Sequence, residues 1–220
     1  MSTPTIHLLW HSPNEQVWET ALDRYWDFIK DENLPLEKSL NSLKLEDVAK
    51  LDEEGWFTFL HCKYFPWKYT APNRLKTTRS TLIRSAVEPD GLAKLYRIKE
   101  QLFDLDFDNV KECLEIVHQI PGLGVAGASG LLALMYPERF GTVDQFVVKA
   151  LCGVADLPEL NQVRAMNPLG LKAKEGAILN GIMARQASRL NELFGLEESW
   201  TPRKIDMVLW TYGREKCEEN

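Results

Sequence analysis

Apolar residues recur every three to four positions along most of the chain, a spacing that is typical of amphipathic α-helices. Two stretches carry it clearly, with Trp18, Leu22, Tyr25 and Ile29 in one and Val110, Cys113, Leu114 and Val117 in the other. Runs of alternating β-branched residues are missing, and only "TIHLLW" near the N-terminus could form a short strand. Apolar residues make up 45% of the 220, enough for a substantial core. The pattern predicts an all-α fold.

Residues that start and stop helices mark several boundaries. A long helix is predicted over residues 171–194, with Gly195 as its stop. The last helix is expected to begin at Thr201 and Pro202, because threonine can cap a helix and proline fits its first turn. Gly213 is expected to end that helix.

The charge of the chain is negative overall but unevenly distributed. A net charge of −6 argues against unspecific coating of nucleic acid, because phosphate binding needs positive charge. Residues 61–84, however, contain no acidic side chain, and their cations are Lys63, Lys68, Arg74, Lys76, Arg79 and Arg84. A second basic run contains Arg164, Lys172, Lys174, Arg185 and Arg189. This segregation suggests an anionic partner, although solvated helix faces would give the same pattern.

Other features exclude several classes of protein. No apolar run is long enough to span a bilayer, and the N-terminus lacks the pattern of a signal peptide, which predicts a cytoplasmic protein. Cysteines 62, 113, 152 and 217 are too far apart for a zinc or iron–sulfur motif, which predicts free thiols. We therefore expect neither a structural metal nor an organic cofactor.

The segment "IPGLGVAGA" contains a G-x-G-x-x-G pattern, Gly122 to Gly127. Such glycines cradle a dinucleotide only when they follow a strand inside βαβ units. Here the preceding residues have a helical period, and no later strands are predicted. We therefore predict a helix–hairpin–helix at about residues 109–136, in which the glycines face a nucleic-acid phosphate.

The chemistry of this hairpin suits an anion. Pro121 ends the first helix, while Gly122 and Gly124 allow a positive φ and leave no Cβ between the backbone and a ligand. The second helix is expected to begin at about Val125, so that its unpaired N–H groups and its dipole point at the same place. A monovalent cation held by hairpin carbonyls could assist. A tight helix–helix turn without a ligand remains the alternative.

An acidic residue follows the second helix of the hairpin. Asp144 is predicted to lie in the first turn of the next helix, where Thr142 and Gln145 have the spacing of a capping box. Backbone N–H groups there favour an ionised carboxylate. The plain alternative is an acid that only complements the helix dipole.

The hairpin and this aspartate together resemble the helix-hairpin-helix DNA glycosylase superfamily, which includes endonuclease III and the 8-oxoguanine glycosylases. The resemblance lies in "IPGLGVAGA" followed by "ERFGTVDQFVVKAL" and covers residues 109–153. The C-terminal "WTPRKIDMVLWTYGR" is similar, more loosely, to small bacterial 8-oxoguanine-glycosylase-like proteins. Residues 1–100 match nothing we can name. The resemblance implies one unit over residues 1–220, built from two packed helical lobes.

It also implies roles for individual residues. The catalytic residue would be Asp144, and the backbone that holds DNA phosphate would be that of Gly122, Leu123, Gly124 and Val125. Strand-cutting members of the family carry a lysine where this chain has Ala126, and a methyl group cannot act as a nucleophile. The resemblance therefore implies a monofunctional glycosylase in which water attacks the sugar.

The segment "YFPWKYTAPN" is predicted to be a loop between helices, and the longer stretch "HCKYFPWKYTAPNR" is expected to contact DNA and the extruded base. Interleaved aromatic and basic residues suit stacking and phosphate contact. The candidates for the base pocket are Tyr64, Trp67 and Tyr69, and those for phosphate contact are Lys63, Lys68 and Arg74. The alternative is that Tyr64 and Phe65 are core residues and only Trp67 is free.

We therefore expect an enzyme that acts on double-stranded DNA and removes a damaged or modified base, with no membrane partner. Two alternatives stay open: a non-catalytic helix-hairpin-helix DNA-binding protein, and a helical interaction protein. The target base, and a role in repair or in defence against phages with modified DNA, are not fixed by the sequence.

Overall fold

The computed structural model describes residues 4–197 and 199–218, and no strand occurs in these ranges. Helices account for 68% of the structure, so the predicted all-α class is confirmed. The expected strand at "TIHLLW" is wrong, because these residues form helix α1 (Ile6–Trp10). The Thr5 hydroxyl accepts the N–H of Leu8 at 3.4 Å and caps this helix. No helix in the described ranges is both long and apolar enough to cross a bilayer.

The first half of the chain forms α-helices that are interrupted by one π-helical segment. After α1 these are α2 (Glu15–Asp27), α3 (Leu34–Asn41), α4 (Leu45–Ala49), α5 (Glu53–Phe59), the π-helical segment (Leu60–Tyr64), α6 (Phe65–Lys68), α7 (Pro72–Ala86) and α8 (Gly91–Leu102). The stretch predicted as one loop is thus largely helical. Pro66 is tolerated because it lies in the first turn of α6, and only residues 69–71 separate α6 from α7.

The second half contains the predicted hairpin region and the longest helices. They are α9 (Val110–His118), α10 (Val125–Met135), α11 (Gln145–Leu151), α12 (Leu160–Ala165), α13 (Ala173–Phe194) and α14 (Pro202–Glu218). The predicted start at Val125 is confirmed. Gly195 is left-handed, with φ of 65°, and ends α13 as expected. Thr201 also acts as predicted, since its hydroxyl accepts the N–H of Lys204 at 3.3 Å.

The predicted end of the last helix is wrong. Gly213 does not stop α14, which continues to Glu218. A Cβ on Gly213 would lie 1.9 Å from the carbonyl oxygen of Phe146 in α11. The glycine is therefore a site of close helix packing.

The core is organised around α10. Nearly every residue of this helix is buried, and it contacts α9, α13 and α14. The small residues of α10 let neighbouring side chains approach its backbone closely. A Cβ on Gly127, for example, would lie 2.8 Å from the Tyr69 hydroxyl. One continuous cluster of buried apolar side chains extends from Ile6 to Tyr212. The start of α10, where the turn after α9 ends, is consequently set rigidly in the molecule.

Candidate functional site

The turn between α9 and α10 contains a glycine whose backbone other residues would strain. Gly122 has φ of +92°, in the left-handed region. A Cβ at this position would lie 2.6 Å from the carbonyl oxygen of Thr78 and 3.1 Å from the Phe65 ring. The turn therefore lies against α7 more closely than any side chain would allow.

Gly124 is open on its outer side. Its φ of −90° is ordinary, and a Cβ added there would meet no atom within 4 Å. Gly124 caps α10 without a side chain, and the first helical bond joins the Ala128 N–H to its carbonyl at 2.8 Å. The N–H groups of Val125, Ala126 and Gly127 precede that bond and point out of the helix start. This end of α10 has the geometry that anions favour.

The interior of the turn is held by aromatic and apolar side chains. The Tyr69 hydroxyl donates to the carbonyl of Gly122 at 3.1 Å and ties the turn to the core. The side chains of Leu123 and Val125 are buried. Of these two predicted DNA-contacting residues, only the backbone can reach a ligand.

Asp144 is the cap of α11. Its Oδ1 accepts the N–H groups of Phe146 at 2.9 Å and Val147 at 3.2 Å. The expected capping box of Thr142 and Gln145 is wrong, because Asp144 itself takes the cap position. No hydrogen bond among the described residues uses its Oδ2, and the residue is partly exposed. One carboxylate oxygen is thus fixed while the other can face a ligand.

Ser129 connects Asp144 to the start of α10. The Ser129 hydroxyl lies one turn inside α10 and accepts the N–H of Val143 at 2.9 Å. Both groups are buried. Val143 directly precedes Asp144, so this bond holds the carboxylate near the end of α10 at which the turn lies.

Lys68 reaches the same region from α6. Its side chain crosses α10 at Gly130, where an added Cβ would lie 3.3 Å from the lysine Cδ. Its nitrogen is 5.9 Å from the centroid of the Trp67 ring. Burial lowers the pKa of Lys68, while the nearby carboxylates of Asp144 and Asp206 act in the opposite direction. The predicted phosphate-binding lysine is therefore a partly buried cation whose charge interacts with the carboxylates of Asp144 and Asp206.

A buried network of charged side chains is bonded to Thr142, two residues before Asp144. The Arg203 Nη1 is 2.8 Å and 3.1 Å from the two carboxylate oxygens of Asp206, and its Nη2 is 3.4 Å from Glu37 Oε1. The N–H of Thr142 donates to Asp206 at 2.6 Å. Burial raises the pKa of Asp206 to about 6, against the opposing effect of the guanidinium. The network fixes the segment that leads into Asp144.

The three aromatic residues predicted to line a base pocket differ in exposure. Tyr64 is fully buried and donates to the carbonyl of Gly127, and Tyr69 is buried beneath the turn. Trp67 is partly exposed, and its indole N–H donates to Glu37 Oε2 at 2.6 Å. Tyr64 is thus a core residue, as the alternative held for it and for Phe65, and Tyr69 is buried as well. Trp67 is the partly exposed ring of the three, with the Lys68 nitrogen and the Arg203 guanidinium 5.9 Å and 5.6 Å from its centroid.

Basic side chains flank the turn on the side of α7. The carbonyl of Thr78, which faces Gly122, belongs to this helix. Arg74 and Lys76 of α7 are exposed, and Lys63 is exposed on the preceding π-helical segment. Of the predicted first basic run, Arg74 is linked to the turn, because its guanidinium lies over the ring of Tyr69, which donates to Gly122.

Part of the second basic run also lies near the turn. The start of α13 packs there, since a Cβ on Gly176 would lie 3.1 Å from the Val125 side chain. Lys172 and Lys174 at this helix start are exposed. Two other members of the run are engaged elsewhere, because Arg185 pairs with Glu159 and Arg189 donates to the carbonyl of Trp10.

Three residues of this site were not predicted from the sequence. Arg203 and Asp206 are three residues apart in the last helix, beside its apolar stripe. Opposite charges at this spacing indicate an ion pair on one helix face. Ser129 gave no signal, because a serine among small residues in an apolar helix has many possible roles.

No family model matches this chain, and neither a curated protein nor a solved structure shows significant similarity to it. The glycosylase resemblance over residues 109–153 stays a hypothesis.

Proposed function

We propose that this protein is a DNA N-glycosylase, in which α9, the turn and α10 form a helix-hairpin-helix within a two-lobed unit. The observation that carries the proposal is the buried hydrogen bond between Ser129 and Val143. It joins the residue before Asp144 to Ser129, which lies one helical turn after the open glycine Gly124. A phosphate at the turn and a sugar at the carboxylate could then belong to one DNA strand.

DNA binding is supported by the groups around Gly124. Backbone N–H groups at the start of α10 suit one phosphate, and they read no sequence. Exposed cations from α7 and from the start of α13 lie on two sides of the turn, where they can contact neighbouring phosphates. This local arrangement explains how a chain with a net charge of −6 can bind DNA.

The proposed reaction is hydrolysis of the N-glycosidic bond of an extruded base. Extrusion costs about a few kcal/mol, and it costs least for damaged or mispaired bases. Departure of the base builds positive charge on the sugar, which a fixed carboxylate such as Asp144 stabilises. Its Oδ2, which makes no hydrogen bond to the described part of the chain, can also orient the attacking water. Ala126 supplies no amine, so the proposed enzyme is monofunctional.

The base pocket is proposed to lie beside the partly exposed ring of Trp67, which Lys68 and Arg203 also contact. Tyr64 and Tyr69 support this pocket and the turn from the core, and they do not stack on the base. Lys68 adds a cation next to the proposed pocket, close to Asp144. Damaged or modified bases with added oxygen atoms are therefore the substrates to test first.

The decisive experiment compares Asp144→Asn with Asp52→Asn. Both aspartates cap a helix, since Asp52 accepts the N–H of Gly55 at 2.8 Å. Asparagine is as good a cap as aspartate, so both variants should keep the fold. Duplexes that carry uracil, alkylated purines, oxidised purines or phage-type modified bases are incubated with each protein, and the released base is quantified.

We expect the Asp144 variant to release base at least about 100-fold more slowly than the unchanged protein. Its DNA affinity should stay within about threefold, and the Asp52 variant should behave normally. Full base release by the Asp144 variant would refute the catalytic assignment. Salt-sensitive DNA binding without release of any base would support the non-catalytic alternative, and absence of binding would support an interaction protein.

A further inference from the structure

A cluster of possible metal ligands lies on the surface near the N-terminus, away from the turn and Asp144. His7 and His11 are four residues apart on α1 and at its end, so both imidazoles project from one face. Asp156, from the segment between α11 and α12, meets them there. The three residues come from chain segments about 145 positions apart, as the His11–Asp156 contact shows.

The distances between the ligand atoms suit a metal ion. The His11 Nε2 is 2.8 Å from Asp156 Oδ1, and the His7 Nδ1 is 3.7 Å from the same oxygen. One ligand atom from each residue lies within 4.8 Å of the other two. Ligands bound tetrahedrally at about 2.0–2.1 Å from zinc are about 3.3 Å apart, and the two measured separations lie on either side of that value. Small side-chain rotations would bring all three to one ion.

Metal binding would replace the hydrogen bonds that these ligand atoms now make. The N–H of Ala155 lies 3.3 Å from His7 Nδ1, a long hydrogen bond that an ion at this nitrogen would displace. The His11 Nε2 and the Asp156 carboxylate share a hydrogen bond of 2.8 Å. An ion would bind both atoms in its place, with the imidazole proton of His11 carried on Nδ1.

We propose that His7, His11 and Asp156 form a binding site for a divalent transition-metal ion, with zinc as the best fit. Two imidazole nitrogens and one carboxylate oxygen are a donor set that zinc favours, whereas calcium and magnesium prefer oxygen alone. The three ligands leave a fourth position for water. The site is independent of the proposed glycosylase reaction.

A bound ion would fasten α1 to the segment that follows α11. At present α1 is held mainly through its buried apolar face and the carbonyl of Trp10, which accepts from Gln186 at 3.0 Å. A metal adds a link to residues 155 and 156. Because the unfolded chain does not hold the three ligands together, binding should raise the melting temperature.

The test is a zinc titration of the full chain without a histidine tag, followed by calorimetry or by competition with a chromophoric chelator. The variants are His7→Gln, His11→Gln and Asp156→Asn. His118→Gln is the matched control, because His118 is exposed and lies outside the cluster. A second control, His61→Gln, removes the histidine next to the exposed thiol of Cys62, whose sulfur is 3.5 Å from the ring.

We expect one zinc ion per chain, a higher melting temperature with zinc, and a loss of at least about 100-fold in affinity in each of the three cluster variants. Both control variants should bind as the unchanged protein does. Cobalt should give the absorption of a four- or five-coordinate site, and only when the cluster is intact. The proposal is overturned if no stoichiometric binding occurs, or if only His61→Gln weakens it.

Discussion

The two glycines of the turn should respond differently to alanine. At Gly122 the positive φ of 92° costs about 1–2 kcal/mol for a residue with a Cβ. The new methyl would also lie 2.6 Å from the Thr78 carbonyl, and forcing the backbone apart costs about 1–3 kcal/mol more. Gly122→Ala should therefore lower the free energy of unfolding by roughly 2–5 kcal/mol.

At Gly124 the same substitution should be almost neutral for stability. A methyl group there meets no atom within 4 Å, and the φ of −90° suits alanine. Alanine is a poorer cap than glycine by about 0.5–1 kcal/mol, but it lowers the entropy of the unfolded chain by about 0.4–1 kcal/mol. These contributions offset each other to within about 0.5 kcal/mol.

Urea denaturation of both variants measures the difference. Gly122→Ala should lower the midpoint by about 1 M or more, and Gly124→Ala should leave it nearly unchanged. In a DNA-binding titration, Gly124→Ala should lose roughly tenfold in affinity, because the methyl would occupy the place of a phosphate. Equal midpoints for the two variants would refute the steric reasoning, and unchanged DNA affinity of Gly124→Ala would refute the phosphate site.

Two further substitutions test the surroundings of Asp144. Lys68→Gln should slow base release on the order of 100-fold while changing DNA affinity little, because this amine is partly buried and its charge interacts with that of the Asp144 carboxylate. The exposed Lys63→Gln should lower affinity alone, and the reverse result would make Lys68 a phosphate contact. Arg203→Met should destabilise the fold by about 3–5 kcal/mol, measured by urea denaturation, because Glu37 and Asp206 would stay buried without their cation. A midpoint like that of the unchanged protein would show that the network contributes little.

Local signals in the sequence were sufficient for the helical class and several boundaries. Gly195 acts through its own backbone conformation and Thr201 through its own side chain. Both roles can therefore be predicted without knowledge of the tertiary structure. "TIHLLW" was misread because a five-residue helix shows too little of its period. Its helical state is fixed by the Thr5 cap and by burial of Ile6 and Trp10.

The arrangement of the site was less predictable. The N-terminal position of Asp144 in α11 followed from sequence, yet its link to α10 depends on Ser129, which only the packed structure identifies. Lys68 was assigned to solvent-exposed phosphate contact because it stands in a basic run. Its burial arises from Gly130, which leaves room for the lysine stem on a helix 62 positions away. Contacts of this range have no local pattern in the sequence.

The contact between Gly213 and Phe146 gives the last helix an influence on Asp144. The backbones of α14 and α11 touch at this point, since no Cβ fits between them. Phe146 is only two residues from Asp144, the cap of α11, so a displacement of α14 would move the backbone that holds the carboxylate. The C-terminal helix thus supports the start of α11 and, through it, the alignment of the acid.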